Sequence, residues 1–176
     1  MEPGRGIEIL INEQRTKVNI KQNDLTQGPD FEWTDSFKLG YTPMDETHEE
    51  FVEIVKAMLV CPDADLLKHL DAFAVHGEAH FAQELAWMTE TDFPSTDCHA
   101  GEHNAVMNSV YEVRDILAAG GNPAVARGLA EELARWFPGH ADYLDSALAQ
   151  WMVKKKSGGI PVVLRRNMTF PDIDKS

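Results

Sequence analysis

Four apolar seams, each advancing by steps of four and three residues, constrain this chain more than any other feature. The first reads Met44, His48, Phe51, Val55, Met58. The second reads Leu66, Leu70, Phe73, Gly77, His80, Glu84, Trp87, and the third His99, His103, Val106, Val110, Val113, Leu117. The fourth reads Leu129, Leu133, Trp136, His140, Leu144, Ala147, Trp151. Residues spaced in this way share one face of an α-helix. A mean step of about 3.5 residues is what gently supercoiled, mutually packed helices require.

Helix-ending residues separate the seams. Thr42-Pro43 offers a cap and a proline in the first turn, with Asp45 placed as in a capping box, and Cys61-Pro62 closes that segment. Asp63 or Asp65 opens the second segment, and Asp92, Phe93 and Pro94 break it. Ser95-Thr96-Asp97 opens the third and Gly120-Gly121 ends it; Asn122-Pro123 opens the fourth and Gly158-Gly159 ends it. Short connections between four amphipathic helices predict an all-α, up-down-up-down antiparallel four-helix bundle over residues 31–156. Residues 1–30 read as a polar, non-helical N-terminal extension. Phe31 to Tyr41 read as an aromatic lead-in, and 157–176 as a C-terminal tail with a β-prone run at Val162-Val163-Leu164.

A formal charge of −13 argues against nucleic acid and anionic membrane surfaces as partners, since affinity for either comes from basic patches. Two cysteines, Cys61 and Cys98, make no disulfide framework and suit a reducing compartment. Neither a signal peptide nor an apolar run of membrane-spanning length is present, so a cytoplasmic protein is expected.

The polar residues on the seams carry the chemistry. His48, His80, His99 with His103, and His140 put at least one imidazole on every core-facing line, with Glu84 on the second and Asp145 five residues beyond His140. A single histidine on an apolar face is ordinarily a hydrogen-bonded core residue. Five of them with a carboxylate, spread over four helices, compete for too few partners, and a buried charge is costly unless paired or coordinated. A shared metal centre resolves both problems. Five imidazoles and two carboxylates exceed one tetrahedral zinc, and no thiolate lies on a seam, so two six-coordinate ions bridged by carboxylates fit better. The ferritin-like plan needs two Glu-x-x-His motifs, which are absent, and Glu102 does not follow His99 directly as a zincin helix demands. His69 and His76 lie off the seams and read as surface or supporting residues, and Cys98 as a bystander.

A lone histidine (His48), His80-Phe81-Ala82-Gln83-Glu84, the His99/His103 pair, and His140 with Asp145 follow one another in an order that resembles the hemerythrin family, from about Phe31 to Met152. Trp33 and Trp136 are also similar to family features. The resemblance implies a non-haem centre of two iron ions joined by a hydroxo or oxo bridge. His99, His103 and His140 would hold one iron, His48 and His80 the other, with Glu84 and Asp145 bridging. It further implies that molecular oxygen binds reversibly at the two-histidine iron, for carriage, storage or delivery without turnover. Phe51, Phe81, Met107, Trp136, Phe137 and Leu144 are candidates to line the oxygen pocket. Two alternatives on the same scaffold are a di-iron enzyme acting on peroxide or nitric oxide, or oxidising iron, and a module sensing oxygen or iron. Pro138-Gly139, inside the fourth helix, predicts a kink before His140. Ala141 and Gln83 stand where larger aliphatic and acidic residues are common in the family.

Overall fold

The computed structural model describes residues 31–158. The extension 1–30 and the tail from 159 onward, with its β-prone run, lie outside the described residues. Among these there are five α-helices and no strand: α1 (Thr42–Val60), α2 (Leu66–Glu90), α3 (Thr96–Ala118), α4 (Pro123–His140) and α5 (Ser146–Lys156). A five-residue π-helical turn, Ala141–Asp145, joins α4 to α5, so the two form the fourth rod of a four-helix bundle. Successive rods are neighbours and α4 returns to α1, closing the ring.

The helix ends show how local chemistry sets the lengths. Asn122 Oδ1 accepts from the Ala124 amide at 3.0 Å, the cap expected for α4. Gly120 takes φ +83° after α3, and the Gly121 and Gly120 amides donate to the carbonyls of Ile116 and Leu117, the paired bonds of a Schellman ending. Asp92, at φ 54°, fills the same left-handed position after α2, where glycine is usual. Two expectations shift slightly. Thr42 lies inside α1 and Tyr41 precedes it without a side-chain cap, while the Asp45 carboxylate reaches back to the amides of Leu39 (2.7 Å) and Gly40 (3.1 Å). That contact fastens the lead-in to α1. A 3₁₀ turn at Asp63–Asp65 precedes α2.

Two apolar clusters fill the bundle. The larger contains Phe51, Phe73, Phe81, Val106, Leu133 and Phe137, and the lead-in folds over it, with Phe31 and Phe37 edge-on to Phe137 at 6.0 and 5.4 Å. The smaller contains Tyr41, Met44, Met88, Phe93, Leu148 and Met152. Along α1 the order is Met44, His48, Phe51; along α2 it is Phe81, Glu84, Met88; along the fourth rod it is Phe137, His140, Asp145, Leu148. His48, Glu84, His140 and Asp145 thus fall between the two apolar clusters, and with His80, His99 and His103 they form one buried polar group inside the bundle.

Pro138 does not end α4, which runs through it to His140; the irregularity appears one turn later as the π turn. Proline lacks the amide that would bond to residue 134, which loosens the ladder at this point. The π turn advances the chain by one residue without advancing its face. Consequently the buried line beyond His140 is Asp145, Leu148, Met152, not the expected Leu144, Ala147, Trp151. Ala147 is exposed, and Leu144 and Trp151 are half-buried.

Candidate metal centre

All seven residues singled out from the sequence, His48, His80, Glu84, His99, His103, His140 and Asp145, are buried, and the fold brings them together. They divide into two overlapping groups with donor atoms close enough to share an ion: Glu84, His99, His103, His140 and Asp145; and His48, His80 and Glu84. His80 and Glu84, and His99 and His103, are one helical turn apart on α2 and α3. Five residues of plain α-helix would leave Asp145 about 140° round from His140. The π turn, in which the Ser146 amide bonds back to Ala141, returns it to the same face.

The nitrogens converge. His140 Nε2 lies 3.1 Å from His99 Nε2 and 2.9 Å from His103 Nε2. Asp145 Oδ1 is 2.9 Å from His99 Nε2 and 3.2 Å from His140 Nε2. With metal–donor bonds of about 2.1 Å, adjacent donors of an octahedral ion sit about 3.0 Å apart and those of a tetrahedral ion about 3.4 Å. Most of these spacings match the octahedral edge. Glu84 Oε2 and Asp145 Oδ1 have no hydrogen bond despite these near nitrogens, nor does His48 Nε2. These atoms lie close together yet are left without a hydrogen-bond partner among the described residues. That is how a set of ligands is arranged, and it satisfies the fit of a metal to these residues.

Both carboxylates face two ways. Glu84 Oε1 lies 3.0 Å from His80 and 3.7 Å from His48, while its Oε2 lies 3.2 Å from His99 and 3.6 Å from His103. Asp145 Oδ1 faces His99 and His140, while its Oδ2 lies 3.2 Å from His48. Each carboxylate therefore divides its oxygens between the three-histidine and two-histidine groups.

Electrostatics in the metal-free protein follow from this packing. Burial alone would depress the imidazoles, but the Asp145 and Glu84 carboxylates beside them outweigh it and raise His48 and His99 to about 9. His103, where burial dominates, falls to about 3. Burial and mutual repulsion push Glu84 and Asp145 upward, yet the surrounding imidazoles hold both well below the usual carboxylate range. Protons on histidine thus balance the two buried carboxylates.

Aromatic rings enclose the layer. Phe81 stacks on His103 at 3.9 Å between centroids, Trp136 lies over His140 at 4.2 Å, and Phe137 stands edge-on to His48 at 5.2 Å with Phe51 stacked on it at 4.7 Å. Met107 is buried beside Gly77, where an added Cβ would come within 2.9 Å of its sulfur. Leu144 alone of the expected lining is turned aside, by the π turn. His69 and His76 join neither ligand group. His76 packs against His80 with its Nδ1 3.5 Å from Glu50, and burial, with the charges of His80 and His48, lowers it to about 4. Sequence reasoning missed Glu102. Its Oε2 accepts from His140 Nδ1 at 3.2 Å and from Trp136 Nε1 at 3.3 Å. The available signal was its position three residues after His99 and next to His103, on the flank of the α3 seam.

A four-helix bundle whose mid-layer is a buried histidine–carboxylate cluster of this kind is a metal-binding bundle in its general class. More particularly, residues 39–152 match the family model described as the hemerythrin HHE cation binding domain, and the chain belongs to that family. It is 38% identical over 127 residues to a bacteriohemerythrin of Ralstonia nicotianae, covering 72% of this chain and 92% of the relative. It is 25% identical over 139 residues to a bacteriohemerythrin of Stenotrophomonas maltophilia, covering 72% of this chain and 90% of that protein. No described helix is long and apolar enough to cross a membrane.

Proposed function

We propose that the chain is a di-iron protein that binds molecular oxygen reversibly. In this reading His99, His103 and His140 hold one iron, His48 and His80 hold the second, and Glu84 and Asp145 bridge them. The division of both carboxylates between the two histidine groups is the observation that carries it. One carboxylate can serve two ions only if its oxygens face different donor sets. Two ferrous ions, when bound, supply the electrons on which oxygen binding draws.

The protein's own contribution is positional. The two-histidine side has one imidazole fewer, which would leave an ion there a position for a small ligand, beside Phe51 and Phe137, both essentially fully buried. Apolar walls keep water out and favour a small neutral ligand. Membership of the family supports the same reading, as do relatives named bacteriohemerythrin. The domain is residues 31–156, with 1–30 and 157–176 as appended segments. The free thiols Cys61 and Cys98 suit the reducing cytoplasm.

Anaerobic reconstitution with ferrous iron, followed by admission of air, tests the proposal. A visible charge-transfer band should appear and then vanish on deoxygenation. Absence of the band, or its persistence after oxygen is removed, defeats the carrier reading. Steady turnover of hydrogen peroxide or nitric oxide above that of free iron would establish the enzyme alternative instead.

A further inference from the structure

Among the imidazoles of the buried layer, His140 is distinguished by what lies behind it. The Nδ1 atoms of His48, His80 and His99 are buried with no hydrogen-bond partner among the described residues. His140 Nδ1 has one: Glu102 Oε2 at 3.2 Å. The same oxygen accepts from the indole Nε1 of Trp136 at 3.3 Å, and the Trp136 ring lies over His140 at 4.2 Å and 30°. Glu102 is on α3 while Trp136 and His140 are on α4, so a single carboxylate oxygen ties two helices together at the centre's edge. Its side chain is about one-third exposed, at 33%, whereas that of His140 is 2%.

We propose that Glu102 is the positioning residue of this centre: it fixes the proton of His140 on Nδ1, turns the Nε2 lone pair toward the shared ligand point, and clamps Trp136 over the ring. An imidazole that donates from one nitrogen can coordinate only through the other, and a carboxylate acceptor makes that other nitrogen a better donor. His140 Nε2 lies within 3.1 Å of both His99 and His103 Nε2, so it is the hub of the three-histidine group. A rotation of its ring would disperse that group. The negative charge of Glu102 adds to those of Glu84 and Asp145 beside a cationic pair of ions. The inference rests on the metal reading above and adds a residue whose part is orientation, without contact to metal or ligand.

Competition between the full chain and a chromophoric chelator for ferrous iron tests it, on wild type, E102A, E102Q and W136F. Glu102→Ala should weaken the iron held by His99, His103 and His140 about tenfold to a hundredfold, the usual cost of removing such a supporting carboxylate. Glu102→Gln keeps an oxygen able to accept from both Nδ1 and Nε1, so it should recover most of the affinity. Trp136→Phe removes the indole donor but keeps the Glu102–His140 bond, and it should weaken iron less than Glu102→Ala does. Helix content of the metal-free variants, by circular dichroism, should match wild type, which separates orientation from unfolding. If wild type takes up two irons and E102A holds them as tightly, the inference fails while the metal reading stands. If E102Q is as weak as E102A, charge and not hydrogen bonding is responsible, and the positioning role is overturned. If wild type takes up no iron, the metal reading fails first and the inference with it.

Discussion

Deleting one residue from the middle of a core helix normally turns everything beyond it by about 100° and ruins its packing. Deletion of Tyr143 should be an exception. Tyr143 is 80% exposed and sits within the π turn Ala141–Asp145. Removing it lets the turn relax to plain α-helix, leaving Asp145 four residues from His140, about 40° from direct alignment, with Leu148 and Met152 still inward. Little apolar burial is lost, so metal-free stability should change by no more than about 1–2 kcal/mol. An alanine inserted between Tyr143 and Leu144 does the opposite. It swings Asp145 out of the layer and pulls Leu148 and Met152 from the smaller apolar cluster. Each apolar loss costs about 2–5 kcal/mol, and leaving buried imidazoles without one carboxylate costs about 3–5 kcal/mol. The total, at least about 7 kcal/mol, rivals the whole stability of an ordinary domain. Thermal unfolding by circular dichroism and iron content per chain read both variants. If the deletion is as damaging as the insertion, the phase argument for Asp145 is wrong.

Other perturbations follow from the same site. Glu84→Ala or Asp145→Ala should lose most of the bound iron, because only one bridging carboxylate remains among five imidazoles; retention of two metals in either variant by elemental analysis refutes the bridging assignment. Iron loading at about pH 7 should release protons, since His48 and His99 titrate near 9 in the metal-free protein and must be neutral to coordinate; a pH-stat that records no release contradicts this. For stability of the metal-free protein, the raised His48 and His99 contribute fully below about pH 6.5, and that contribution is lost as pH rises through about 9. The depressed Glu84 and Asp145 contribute above about pH 4 and lose that contribution as the pH falls through their native-state values. Burial-depressed His76 and His103 contribute above about pH 6.5 and lose that contribution as the pH falls toward about 4 and 3. Unfolding midpoints should therefore peak at about pH 6.5, and a midpoint rising from about pH 7 to 9 would oppose the balance described. Arg127 donates to the Met58 carbonyl at 2.6 Å, to the Cys61 carbonyl, and to Asp63 at 2.9 Å, closing the end of α1. Arg127→Ala should cost about 1–3 kcal/mol in a denaturant titration while leaving iron content unchanged.

The bundle was legible in the sequence because its signals are local. Pro43, Asn122, Gly120 and Gly158 punctuate the helices, and the seams of α1, α2 and α3 need only uniform helical geometry to be read correctly. The seven clustered residues were legible for the same reason, with one element of chance. His140 and Asp145 are five residues apart, a spacing that uniform helix does not align, and they meet only through the π turn. Pro138 marked the irregular place but not its form. The sequence predicts a kink, whereas the chain keeps its course and gains one residue, which is why the expected line of Leu144, Ala147 and Trp151 is displaced by one. Glu102 escaped notice because its importance lies in Trp136 and His140 on another helix, a tertiary pairing that no spacing within α3 reveals.

If the seven side chains hold two irons in one chain, iron stoichiometry is the direct readout. The protein, stripped of metal and reconstituted anaerobically with ferrous iron, should retain two irons per chain by elemental analysis after removal of the excess. One iron per chain, or none, would contradict that two-iron reading.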